Sequence, residues 1–150
     1  MEARNAALVE IACYTSRPMS DRSPSEPLPS VPPLALCAIG WLVPGGAHLW
    51  LGRRDKGIIF LVVLVALFAA GLWLDGRIFP IEPREPLVAL AALANIGIGV
   101  PYFVAWALGL GAGNVVAASY EYANTYLIVA GLLNALVVLD AYDIAVGRKR

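Results

Sequence analysis

Hydrophobic and polar positions divide the chain into one polar stretch and four apolar ones. Residues 1–33 mix charges with S-R-P-M-S-D-R-S-P-S-E-P-L-P-S-V-P-P, a composition that cannot bury a core and predicts a disordered tail. Apolar runs follow at residues 34–52, 57–74, 87–112 and 125–146. Each reaches or nears the ~18–20 residues that cross a hydrocarbon layer about 30 Å thick. Backbone groups in hydrocarbon must be satisfied within the segment, so the runs are expected to be helices. The pattern therefore predicts an all-α integral membrane protein, a bundle of four transmembrane helices behind a disordered N-terminal tail. The connectors are R-R-D-K, then G-R-I-F-P-I-E-P-R-E-P, then a stretch ending S-Y-E-Y-A-N. Pro80, Pro83 and Pro86 stop any helix in the second connector, and Asn124 or Thr125 is suited to cap the fourth span. No long internal repeat is visible.

Composition strengthens this picture. Of the 150 residues 59% are hydrophobic and 15% charged, and the mean hydropathy is +0.71, against about 45–50% apolar and 25% charged in soluble domains. The 11 basic and 11 acidic residues cancel, so no basic field points to nucleic acid. Cys13 and Cys37 match no zinc or redox spacing and read as free thiols. Four spans would place the tail, the second connector and the C-terminus on one side, with Arg17, Arg22, Arg77, Arg84, Arg148, Lys149 and Arg150 against Arg53, Arg54 and Lys56 on the other. Seven basic residues against three predict a multi-pass cell-membrane protein with both termini cytoplasmic.

The segment P-G-G-A-H-L-W-L-G-R-R-D-K-G-I-I-F-L-V resembles the two-transmembrane-helix domain family. The matching positions are Gly45, Gly46, Ala47, His48, Trp50, Leu51, Gly52 and Gly57, within residues 34–74. That resemblance implies two helices paired through a polar turn, and no enzymatic activity. The C-terminal part, Y-E-Y-A-N-T-Y-L-I-V-A-G-L-L-N-A-L-V-V-L-D-A-Y-D, is similar to small uncharacterised bacterial membrane proteins of unknown function.

Polar residues in apolar spans are expensive and mark candidate sites. The candidates are His48, Asp75, Asp140 and Asp143, with Asn95 and Asn134 as neutral partners. With four spans, His48 and the two C-terminal aspartates fall on opposite faces, which argues against a His48–Asp140 or His48–Asp143 pair. Glu121 is then the expected carboxylate partner of His48, while Asp140 and Asp143 are expected to meet Arg77 or Arg84. Pro44 predicts a kink near Ile39–Trp41, and Gly45 and Gly46 allow close helix approach. Asn95, Gly97, Gly99 and Pro101 predict a flexible or kinked third span, in which Ala105, Gly109 and Gly113 form a small-residue contact stripe.

No nucleophile–base pair, carboxylate dyad or metal cluster has workable spacing, so neither an enzyme nor a cofactor is expected. The leading expectation is a non-catalytic accessory or interaction subunit, in contact with the lipid bilayer and with another membrane protein or a second copy. The alternative is a small oligomeric transporter or channel with a polar path near His48, Asn95 and Asn134.

Overall fold

A computed structural model describes residues 32–148. The reading of residues 1–31 as a tail, Cys13 included, lies outside the described residues. Six helices follow one another: α1 Pro33–Leu42, α2 Gly46–Trp50, α3 Arg54–Trp73, α4 Pro86–Ile96, α5 Val100–Ala107 and α6 Tyr120–Ala145. Among the described residues there is no strand, only an isolated antiparallel bridge between Arg77 and Ala112.

Two helices, α3 with 20 residues and α6 with 26, are long and apolar enough to cross a membrane. A third candidate arises only if α4 and α5, bent by 107° at their break, count as one span. The expectation of four spanning helices is thus not met. The reason lies in two interruptions. Val43 precedes Pro44, and proline crowding holds it extended at φ −118° and ψ 111°. Gly45 then takes a left-handed φ of 74°, which a side chain would resist. Instead of the kink expected near Ile39–Trp41, the helix ends at Leu42 and the chain turns back. In the second interruption α4 stops at Ile96, and Gly99 opens α5 at φ 77° and ψ −129°.

The direction of each piece follows from its neighbours on α6. Leu36 and Ala47 cluster with Ala141 and Ala145, and Leu51 packs on the same cluster. Both ends of α1–α2 therefore lie beside the C-terminal end of α6, and α2 runs back along α1, with Gly40 against Ala47. The turn of this hairpin reaches the middle of α6, where Asn134 bonds the Trp41 carbonyl. The second excursion leaves from the other end. Ile78 N–H donates to the Gly111 carbonyl at 2.8 Å, so the chain between them returns to where it began. That place is the N-terminal end of α6, since Arg77 N–H donates to Asn124 Oδ1. Between departure and return, Gly97 reaches Asn134. Helices α3 and α6 pack antiparallel, because the end of α3 at Gly71 meets Ala123 and Leu127.

The molecule is accordingly built twice over: hairpin then long helix, α1–α2–α3, and hairpin then long helix, α4–α5–α6, with opposite directions. The buried face of α6 is Ala123, Leu127, Ala130, Gly131, Asn134, Val137, Ala141 and Ala145. Three- and four-residue steps put these on one stripe, and their small size lets neighbouring backbones approach.

Candidate functional site

The two hairpin turns meet halfway along α6, and Asn134 fastens both. Its Nδ2 donates to the Gly97 carbonyl at 2.9 Å and to the Trp41 carbonyl at 3.3 Å. Those carbonyls lie at the ends of interrupted helices, where no backbone N–H continues the ladder. The turns also touch directly. Trp41 Nε1–H donates to the Ile96 carbonyl at 3.2 Å, the Trp41 ring packs edge-on to Phe103, and Gly99 sits against the Trp41 and Leu42 carbonyls. Gly131 lies so close to the Ala94 carbonyl that any β-carbon would collide with it. Asn95 is fully buried in the same region. Neither of its amide atoms, nor Asn134 Oδ1, has a protein partner among the described residues.

One to two turns further along α6, His48 and Asp140 form a second fastening. His48 Nε2 lies 3.1 Å from Asp140 Oδ2, the imidazole wholly buried and the carboxylate 28% exposed. With Asp140 ionised, Nε2 carries the proton and donates; the other ring nitrogen, Nδ1, has no partner among the described residues. Phe60 of α3 packs on the imidazole at 5.2 Å between centroids, so the ring joins α2, α3 and α6.

This pair overturns the expectation that separated His48 from Asp140. The separation rested on counting residues 34–52 as a full crossing. Because α1 and α2 form a hairpin, His48 returns to the end at which the chain entered. Glu121 is not its partner: it lies in the first turn of α6, 19 residues and so about 28 Å along the helix from Asp140. Nor does Asp143 pair with Arg77 or Arg84. It lies 3.7 Å from Arg148, whereas Arg77 is held at the other end of α6 by Asn124. Asn124 and Thr125 are not caps of α6, which starts earlier, at Tyr120; Thr125 Oγ1–H donates to the Glu121 carbonyl within it. Gly109 and Gly113 form no helical stripe, since α5 ends at Ala107 and both take positive φ in the following loop, where Gly113 abuts Arg77. Asp75 sits in left-handed conformation after α3, its carbonyl accepting from Asn114 N–H.

The sequence holds a signal for the doubled build. I-G-x-x-V-P followed, after six intervening residues, by L-G occurs twice, as Ile39, Gly40, Val43, Pro44, Leu51 and Gly52 and as Ile96, Gly97, Val100, Pro101, Leu108 and Gly109, always 57 residues apart. Gly52 and Gly109 both take positive φ, 77° and 67°. The turns themselves differ: the left-handed glycine follows the proline in the first hairpin, at Gly45, and precedes it in the second, at Gly99.

Among the described residues no group of three or more His, Cys, Asp or Glu side chains is placed to hold a metal ion. Cys37 is a free thiol. Two surface hollows accompany the junction. One, of about 570 Å³, runs along α3 between Val62, Ala66, Ala70 and Trp73; the other, of about 330 Å³, is lined by residues Gly52 to Lys56.

Together these features define a class: an all-helical protein in which two helices long and apolar enough to cross a membrane carry two interrupted hairpins, fastened by buried polar side chains. The chain belongs to a family of unknown function, DUF6677, whose model matches residues 35–150. No curated protein and no solved structure matches it.

Proposed function

We propose that this is a small two-span membrane protein that acts without catalysis, as an accessory or interaction subunit. In this reading α3 and α6 cross the bilayer and each hairpin enters from one side and returns to it. Non-helical backbone at membrane depth is tolerated where it is enclosed by protein, and the two turns are enclosed by each other and by α6. The basic turn at Arg53, Arg54 and Lys56 then shares a side with Arg148, while Arg77 and Arg84 lie opposite with Asp75, Glu82, Glu85 and Glu121. The asymmetry supports a cytoplasmic position for both ends of the described chain.

The observation that carries the non-catalytic reading is the engagement of Asn134. Its amide bonds carbonyls at both interruptions of the chain, and Asp140 holds the buried imidazole of His48. The outward faces are apolar, including Ile58, Ile59, Val62 and Val63 on α3 and Leu132, Leu136 and Leu139 on α6, and these are the surfaces a helix of another membrane protein, or a second copy, would meet. Proteoliposomes provide the test. Proton or ion flux equal to that of protein-free vesicles is expected; flux that disappears in Asn134→Leu or His48→Ala would replace this reading with a transporter or channel. One observation favours that second reading: discontinuous helices of opposite direction, as at transporter sites, meet at mid-depth beside the buried amide of Asn95, which has no partner among the described residues.

A further inference from the structure

The hairpin changes the company of the R-R-D-K turn. A four-span chain would isolate Arg53, Arg54 and Lys56 from the C-terminal end of α6. Instead, Arg53 N–H donates to the His48 carbonyl at 3.0 Å, and His48 is bonded to Asp140, so the turn lies beside the end of α6 that carries Arg148. Within four residues the turn holds three cations and one carboxylate, Asp55. None of the three cations has a carboxylate within 4 Å among the described residues; the ion pairs there are His48–Asp140 and Arg148–Asp143. With Gly52 and Asp55, the cations line an open surface depression of about 330 Å³. The hollow stands at the water-side end of α3, directly before the outward apolar residues Ile58 and Ile59, and Trp50, 58% exposed, precedes the turn. Tryptophan and basic side chains at the end of an apolar helix belong at headgroup level, and cations there attract anionic lipid.

We propose that the Gly52–Lys56 turn binds the headgroup of an anionic phospholipid, with Arg53, Arg54 and Lys56 supplying the positive charge around the phosphate. The proposal rests on the two-span reading, because it needs α3 to cross the bilayer with this turn at its surface. The chain adjoining α3 on the opposite side also carries two arginines, Arg77 and Arg84, but there Asp75, Glu82 and Glu85 outnumber them, so headgroup selection belongs to the Arg53 side alone.

The test uses the full chain, purified in neutral detergent and offered equal amounts of phosphatidylglycerol and phosphatidylcholine, with retained lipid counted by native mass spectrometry. The wild type is expected to retain phosphatidylglycerol preferentially, and each cation removed is expected to lower the preference about fivefold. The triple variant Arg53→Gln, Arg54→Gln, Lys56→Gln is expected to retain the two lipids alike, with helical content and thermal midpoint unchanged; Arg77→Gln with Arg84→Gln is expected to behave as wild type. Should the triple variant misfold, the single variant Lys56→Gln supplies the graded loss. An undiminished preference in folded variants would overturn the proposal, as would a loss confined to Arg77→Gln and Arg84→Gln. Displacement of the lipid by millimolar inorganic phosphate would also overturn it, showing a site for free anion. Failure of the two-span reading is read separately, from the sidedness of residues 54 and 148, so the two results cannot be confused.

Discussion

Asp140 is the residue that supplies the acceptor facing His48. In Asp140→Leu the buried imidazole of His48 loses the acceptor of its Nε2–H, and an unsatisfied buried donor costs about 1–3 kcal/mol. The thermal midpoint in mild detergent should fall, Asp140→Asn should fall less because an amide oxygen still accepts, and His48→Leu combined with Asp140→Leu should recover part of the loss. Additive losses in that double-mutant cycle would show that the two side chains do not interact. Asn134 and Asn95 make an opposed pair of predictions. Asn134→Leu removes two bonds that no other group replaces, so a loss of about 1–2 kcal/mol is expected. Asn95 has no protein partner among the described residues, and Asn95→Leu, which replaces an unsatisfied amide by an apolar group of similar size, should leave the midpoint unchanged or raise it. A fall as large as that of Asn134→Leu would mean that Asn95 is bonded. The candidate polar residues were legible in the sequence, His48, Asn95, Asn134, Asp140 and Asp143 as costly positions in apolar runs, and Asp75 and Glu121 beside such runs. Their partners were not, because partner choice depends on which end of α6 each residue faces.

At the scale of the elements, the glycines divide into two kinds. Gly131 is a point of contact between α4 and α6, and Gly99 combines a positive φ with contact against the first hairpin. Gly131→Val and Gly99→Ala should therefore separate the packed turns and lower stability by several kcal/mol, in the range of core overpacking and backbone strain together. Gly52 has the same φ of 77° but open space around it, so Gly52→Ala should cost only about 1 kcal/mol. Chemical denaturation in detergent checks the order. Helix α3 was readable from the chain because its apolar run is unbroken. The first and third apolar runs were not, because hydropathy counts residues and carries no direction. Pro44 and Gly45 were visible as a break; that the break is a reversal depends on Gly40 meeting Ala47 and on Asn134 meeting Trp41. The recurrence of I-G-x-x-V-P was the available clue, since two like interruptions at one spacing point to two like hairpins.

For the whole molecule the decisive measurement is sidedness. In a cysteine-free background, Arg54→Cys and Arg148→Cys should react with a membrane-impermeant maleimide from the same side, and Arg84→Cys from the opposite side. Four spans would put residues 54 and 148 on opposite sides. Net charge was balanced in every sequence-level count, so only the arrangement of the chain decides how the charges divide. With the R-R-D-K turn moved to the side of Arg148, the basic residues of the described chain split four to two, and the acidic residues of the second connector stand with the smaller group.

The position of Asn134 also dictates an order of events during synthesis. Both hairpin turns are made well before the residue that closes them: Trp41 precedes it by 93 positions and Gly97 by 37. While the nascent chain waits, the carbonyls at both interruptions have no donor from α6, and a half-length apolar hairpin in lipid is a substrate for quality-control proteolysis. A ribosome stalled before residue 134 should expose both hairpins to protease, and release of α6 should protect the two at once. In the two-span reading the last helix would thus be the closing step, committing two earlier pieces of the chain in a single event.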